Sequence, residues 1–321
     1  MGSRIFIIMT ENGSGLFTEI QYISFLSILA PVFIKTVSIM TKKIMISLVF
    51  VFFAAEILQA KPGKPIIAAS YNIRMNTASD GINAWPNRKE EVKALVRYHE
   101  FELFGVQEAF IGQINDLLEM EEFAYTGHGR DDGKDAGEHS AIFYHKSRFK
   151  LLDSGDFWLR ETPGVPGKGW DATCCNRICS WAKFRDQDTK RQFYFFCVHF
   201  DHQGVKARQE SGKLMVQKIE EIAAGYPVIC VGDFNSTPET EQIKTMQSIL
   251  KDAYQVSEMA PYGPVGTFNS FDFNAPMKNR IDYIFVSNPI RVLKYGVLTD
   301  SKSQRYPSDH QPVVAKVLIG K

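Results

Sequence analysis

Short apolar runs rich in β-branched and aromatic residues recur along the chain at 66–73, 103–106, 140–144, 193–200, 228–231, 281–286 and 313–319. Each has the length and content of a buried strand. Between some of them the period lengthens to that of a helix. Pro86, at a first-turn position where its missing N–H is harmless, opens a stretch in which Val92, Leu95 and Val96 share one face. Over 207–223 Leu214, Ile219 and Ile222 do the same against a polar opposite side, and Gly225-Tyr226-Pro227 stops that helix. No repeat, low-complexity tract or Pro/Ser linker divides 61–321. The pattern predicts one domain of the α/β (α+β) class, with two sheets packed face to face and helices outside.

The first sixty residues read differently. Lys42 and Lys43 precede an apolar run from Ile44 to Ala55, and the small residue Ala60 stands just before Lys61-Pro62. That is the charged, apolar, small order of a secretory signal peptide. The run is shorter than the ~20 residues of a spanning helix and Glu56 interrupts its far end, which favours cleavage over a retained anchor. Residues 40–60 are therefore expected to be a signal peptide, with 61–321 exported to the periplasm or the medium. Met40 heads this segment, so 1–39 reads as an upstream extension from an early start codon. The apolar stretch 20–34 offers the alternative, a form anchored in the membrane by its leader.

Composition and charge narrow the partners. The chain has 321 residues, 45% apolar, with 37 Lys plus Arg against 36 Asp plus Glu, which sets aside disorder, collagen and small disulfide scaffolds. Cleavage after Ala60 removes four basic residues (Arg4, Lys35, Lys42, Lys43) and three acidic ones (Glu11, Glu19, Glu56), leaving 33 of each. A neutral domain has no field for wholesale capture of duplex nucleic acid or an anionic membrane. Its five cysteines include Cys197 and Cys230 in apolar runs, where they read as small core residues. Cys174, Cys175 and Cys179 are spaced for a disulfide or, less well, for a zinc site, since no nearby His completes four ligands.

The candidate chemistry stands where strands end. Asn72 closes the first run, Gln107-Glu108 the second, His199 the run from Phe193; Asp233 and Asn235 follow Val228 to Gly232, and Asp309-His310 precedes the last strand. A rigid scaffold presents function at such ends, because a buried strand interior could not satisfy polar groups. Taken singly, an Asn or Asp there is most often a turn residue, a Glu solvated, a His structurally satisfied. All of them together, each bordering an apolar run, are harder to explain that way.

In this order the segments Ser70-Tyr71-Asn72-Ile73-Arg74, Gln107-Glu108, Val198-His199-Phe200-Asp201-His202, Gly232-Asp233-Phe234-Asn235, Arg280-Ile281-Asp282-Tyr283-Ile284 and Ser308-Asp309-His310 resemble the endonuclease/exonuclease/phosphatase superfamily over essentially all of 66–319. The resemblance implies a four-layer αββα sandwich, two mixed sheets between helices with the site at one rim. It also implies phosphoester hydrolysis assisted by Mg²⁺ or Mn²⁺. In-line attack of water on a phosphoester builds negative charge on the phosphoryl and leaving oxygens, so a cation, hydrogen-bond donors and a base are needed. Mg²⁺ takes hard oxygen ligands. Glu108 then reads as the principal metal carboxylate with Asn72 and Asp309 beside it, Asp233 as the base, and Asn235 as a phosphoryl donor without charge. His310 reads as a cationic donor held by Asp282, and His199 as a second donor supported by Glu138.

Further segments, Trp85-Pro86-Asn87-Arg88, Phe157-Trp158-Leu159 and Gly169-Trp170-Asp171-Ala172, together with Asp201-His202 and Arg208, resemble a narrower bacterial branch. Arg74, Asp201, His202, Trp170 and Arg177 are candidates to contact substrate, Trp170 by stacking and Arg177 by binding phosphate; packing is the competing role for the last two. Nucleic acid, nucleotides, phospholipid headgroups and sugar phosphates all fit as substrates. A catalytically inactive binding protein on the same fold is the alternative, but every core position of the pattern is filled. Export predicts that protein recovered from the cell envelope or medium begins near Lys61 on N-terminal sequencing. An intact 41–60 segment in that material would refute cleavage.

Overall fold

In the computed structural model, which describes residues 63–320, the apolar runs pair into two six-stranded sheets. The signal peptide, the upstream extension and the cut at Ala60 lie outside the described residues. With strands numbered in chain order, the first sheet contains β1 (Ile66–Asn72), β2 (Leu103–Ala109), β3 (Phe123–Thr126), β4 (His139–His145), β11 (Ile290–Val297) and β12 (Val313–Ile319), in the order β11-β12-β1-β2-β4-β3. The second contains β5 (Phe149–Trp158), β6 (Ile178–Asp186), β7 (Gln192–His199), β8 (Val228–Asp233), β9 (Lys251–Asp252) and β10 (Asp282–Val286), in the order β5-β6-β7-β8-β10-β9. Both follow one plan: a central parallel pair, β1 with β2 and β7 with β8, flanked on each side by antiparallel strands.

Each parallel pair needs a crossover, and a helix supplies it. Helix α1 (Lys89–Tyr98) joins β1 to β2, and α3 (Val205–Ala223) joins β7 to β8. Three shorter helices, α2 (Ile111–Leu117), α4 (Glu241–Met246) and α5 (Ala253–Val256), complete the α-helices among the described residues. The core falls into three slabs. Ala68, Leu103, Phe184, Phe195, Val231 and Ile284 lie in the slab between the sheets. Ala69, Tyr71, Phe104 and Phe143 face α1 and α2, while Phe196, Val198 and Cys230 face α3 and α4. Central strands are thus buried on both faces, which is why they read as continuous apolar runs. The expected four-layer sandwich is the fold found.

Five strands did not show as apolar runs. In β5 most positions are exposed or half-buried, and it lies at a sheet edge, where solvent replaces one apolar partner. Strands β3, β6, β9 and β11 were equally illegible as runs; β6 and β11 carry charged residues at their exposed positions, and β9 has two residues. Pro86 opens a 3₁₀ turn, Trp85–Asn87, with α1 beginning at Lys89. Helix α3 buries a face of small residues, Ala207, Ser211 and Gly212 among them, with Met215 and Ile219; Leu214 and Ile222 are only partly buried. It ends with Ala224 and Gly225 both left-handed.

The sheets approach closely at Gly105, where an added Cβ would meet Cys197 Sγ and Val231 Cγ2 at 2.6 Å each. Gly105→Ala is expected to destabilise by ~1–3 kcal/mol through overpacking, lowering the urea midpoint at constant m. An unchanged midpoint would mean the inter-sheet core has slack there.

Candidate active site

Both parallel pairs end at the same rim. In the first sheet Asn72 is level with Gln107. In the second, His199, Asp233 and Asp282 form one row across β7, β8 and β10. Two residues of β2, Gln107 and Glu108, stand against a single residue of β4, and this bulge turns Glu108 into the left-handed region with φ 64°. Bulges at sheet rims re-aim side chains, and here the result is a carboxylate pointed at the other sheet. Asn72 Nδ2 donates to Glu108 Oε1 and to Asp233 Oδ2, both at 3.0 Å, joining the sheets through one amide.

Asp233 and Asp282 are directly opposed like charges, which would repel. His310, from the segment before β12, answers both: its Nδ1 lies 2.9 Å from Asp282 Oδ2 and its Nε2 3.8 Å from Asp233 Oδ2. Burial alone would lower the His310 pKa, but these two carboxylates raise it well above the ordinary value. Burial and the Asp282 charge push Asp233 up to about 7. Thr267 fixes the pair. Its hydroxyl donates to Asp282 Oδ2 at 2.5 Å and accepts from the N–H groups of Ile281 and Asp282.

Glu108 and Asp309 face a second cation, Arg74, at 3.7 and 4.0 Å, while the Arg74 guanidinium makes its hydrogen bonds to Asp80. Despite burial, the His310 charge and donors from Asn72 and the Met75 N–H hold Glu108 below the usual carboxylate range. Burial, aided by Glu108, holds Asp309 above it. A buried carboxylate beside another is an oxygen donor set short of positive charge, which fits a hard divalent cation. Oxygens of Glu108 and Asp233 and a ring nitrogen of His310 also lie within 4.8 Å of one another, but an imidazolium offers no lone pair to a metal. Glu108 with Asp309 is the better set. Asn72 holds carboxylates with its amide, and its own Oδ1 accepts from the Arg74 N–H.

The remaining predicted residues divide. Asn235, left-handed at φ 45°, donates from Nδ2 to Phe200 O and to His199 Nε2, each at 3.1 Å. The Phe200 carbonyl can only accept, so the amide orientation is fixed and both N–H bonds already have partners. His199 Nε2 is correspondingly an acceptor. Burial, with Arg177 and Arg130 nearby, holds its pKa well below ordinary and the ring neutral. Asn235 therefore presents no free amide donor in this arrangement, unlike the sequence reading, while the single His199 proton sits on Nδ1, on the side of Glu138. Glu138 Oε2 lies 3.9 Å from His199 Nδ1 but is bound closely by Arg130 Nη1 at 2.5 Å. Asp201 Oδ2 caps the turn into α3 through the N–H groups of Gln203 and Gly204, and its Oδ1 is 3.7 Å from Arg177 Nε. His202 Nδ1 accepts from Arg177 at 2.8 Å. Trp170 is outside this network, half-buried in a loop where Glu161 accepts from its N–H. Cys174 is joined to Cys175, while Cys179 is a buried thiol, as are Cys197 and Cys230. A cleft of about 610 Å³ lined by Ile67, Glu102 and His145 opens at the other end of the first sheet, away from all these groups.

Residues 69–310 match the Endonuclease/Exonuclease/phosphatase family. The chain belongs to this family. Its members hydrolyse phosphoester bonds, and the chain is a phosphoester hydrolase. Mannosyl-6-phosphatase Bt3783 of Bacteroides thetaiotaomicron VPI-5482 is 44% identical, with TM-score 0.76, over 79% of this chain and 100% of that one. A family protein from Bacteroides vulgatus is 36% identical, with TM-score 0.76, over 80% and 100%. The human Nocturnin catalytic domain, at 21% identity and TM-score 0.64 over 82% and 95%, shares the fold. The uncharacterized protein R895 of Acanthamoeba polyphaga mimivirus is 24% identical over 182 residues, 47% of this chain; the match spans about a quarter (26%) of that protein's length.

Three residues of the site escaped the sequence reading. Thr267 and Phe268 lie in a turn-rich stretch with no apolar run, and Arg130 lies in Gly129-Arg130-Asp131-Asp132-Gly133, a run of turn-type residues that borders no apolar run. Phe268 is 38% exposed and sets its edge on His310, ring centroids 5.0 Å apart. For the cation-free protein, NMR titration should place the His310 pKa above the ordinary ~6.5, and Asp282→Asn should bring it down. A wild-type value at or below the ordinary one would refute the Asp282–His310–Asp233 arrangement.

Proposed function

We propose that the chain is a divalent-metal-dependent phosphatase of sugar-phosphate monoesters, using Mg²⁺ or Mn²⁺ and acting after export. The observation that carries the substrate class is the 44% identity with mannosyl-6-phosphatase over the whole of that protein. The oxygen set at Glu108 and Asp309 supports the cofactor. Bound there, the ion supplies positive charge to the phosphoryl oxygens as the transition state forms.

The chain's own groups do the rest. Asp233, raised toward neutrality, is matched to take the proton of the attacking water at physiological pH. Asn72 and the Asn235 N–H hold its two oxygens in place. His310, fixed at Nδ1 by Asp282, turns Nε2–H to the phosphoryl group, where its charge stabilises the developing oxyanion more than the ground state. The half-exposed Phe268 ring beside it offers an apolar face to a sugar.

A panel of mannose 6-phosphate, other sugar monophosphates and phosphodiesters separates the parts of this reading. Turnover of sugar monophosphates should vanish in EDTA and return with Mg²⁺ or Mn²⁺. Activity indifferent to EDTA would refute the metal, and turnover of diesters alone would refute the substrate class. Asp233→Asn should lower kcat about 10²- to 10⁴-fold with KM little changed; a near-parental kcat would remove Asp233 as the base.

A further inference from the structure

Arg177 sits one residue before β6, the strand that pairs with β7 and so flanks His199. It is 5% exposed, yet its Nε and Nη1 make no hydrogen bond; only Nη2 does, to His202. Other buried arginines differ. Arg280 and Arg148 also leave Nε unpaired, but both of their terminal nitrogens bind carboxylates or carbonyls. Arg130 stands close by, bound to Glu138 through Nη1 and unpaired at its buried Nε. The two guanidiniums are near enough to depress the pKa of Arg177, after burial itself, and both act on His199. Asp201 balances part of the charge at 3.7 Å without accepting a hydrogen bond from it.

A buried donor on a charged group is costly to leave unmade. Such donors beside a phosphoryl site point to an anion that completes them. In the proposed mechanism two terminal oxygens of a bound phosphate have partners, one in the cation that Glu108 and Asp309 would hold and one in His310 Nε2–H. A monoester dianion has a third. A diester has an ester oxygen and its substituent there instead, which can neither neutralise a buried guanidinium nor accept its hydrogen bonds as well.

We propose that Arg177, backed by Arg130, receives the third terminal oxygen of a phosphomonoester and so sets the preference of this site for monoesters over diesters. The proposal rests on the phosphatase reading and assigns the residue that enforces it.

The test compares mannose 6-phosphate with its methyl phosphodiester at pH 8, above the monoester's second pKa of ~6, in wild type, Arg177→Gln, Arg177→Lys and Arg130→Gln. In Arg177→Gln, kcat/KM for the monoester should fall ~10- to 100-fold, the worth of a hydrogen bond to a charged group, with the diester little affected. Arg177→Lys should keep part of the preference and Arg130→Gln lose part. The ratio is taken within each variant, so partial misfolding lowers both rates and leaves it unmoved. Should Arg177→Gln fail to fold, inhibition of wild type and Arg177→Lys by inorganic phosphate against dimethyl phosphate gives the same comparison. A wild-type preference for phosphate that shrinks in Arg177→Lys is then expected. Equal losses on both substrates, or an inhibitor preference unchanged in Arg177→Lys, would overturn the assignment. A wild type that cleaves only the diester would instead overturn the phosphatase reading, whatever Arg177 does.

Discussion

The amide of Asn72 carries the constraint on which the rim depends. Glu108, Asp233, Asp282 and Asp309 are gathered there from both sheets, and like charges brought out of water repel strongly. One Asn72 N–H binds Glu108 from its own sheet and the other binds Asp233 from the facing sheet. The strand that holds this amide is buried on both faces, so it has little freedom to yield. Ser308 adds a bond from its hydroxyl to the Asn72 carbonyl, tying in the segment that carries Asp309 and His310. Geometry that chemistry requires is thereby a by-product of how two sheets pack.

A second anchor is Arg88. Its guanidinium is buried and donates to the carbonyls of Ile73, Asn83, Arg74 and Pro307, with Trp85 and Phe271 against its faces. These carbonyls belong to the loops that follow Asn72 and precede Ser308. Carbonyl groups at such loop bends have no strand partner, and one planar cation satisfies several at once. The Trp85-Pro86-Asn87-Arg88 segment is thus a clamp on the backbone of the site. Phe271 and Ser270 are both left-handed, at φ 59° and 55°, in a loop whose N–H groups at Asn269 and Ser270 bind the Asp309 carbonyl.

What the sequence disclosed follows from burial. Strands buried on both faces are written as apolar runs, and a polar residue at the end of such a run stands out; Asn72, Glu108, His199, Asp233 and His310 were legible for that reason. Edge strands such as β5 and side chains on irregular loops lack that contrast, so Thr267, Phe268 and Arg130 were invisible. Roles were harder to read than positions. That both N–H bonds of Asn235 are taken depends on where the Phe200 carbonyl falls, and no spacing in the chain encodes it. Likewise Asp201 reads as a polar residue after a strand, but its work is to turn the chain into α3.

The order of strands along the chain has a consequence for how the protein is made. The second sheet is a single uninterrupted stretch from β5 to β10, whereas the first is assembled from β1–β4 and, much later, β11 and β12. Strand β1 lies against β12, with Ile66 level with Val317. A chain emerging from its N-terminus therefore leaves β1 without its final neighbour until synthesis is almost complete, a contact of very long sequence separation that closes slowly. Asp309 and His310 arrive with that last segment. Under the proposed mechanism, activity waits on the same docking event that seals the sheet, and an unfinished or clipped chain would lack both the covering strand and the groups assigned to the phosphoryl end of the site.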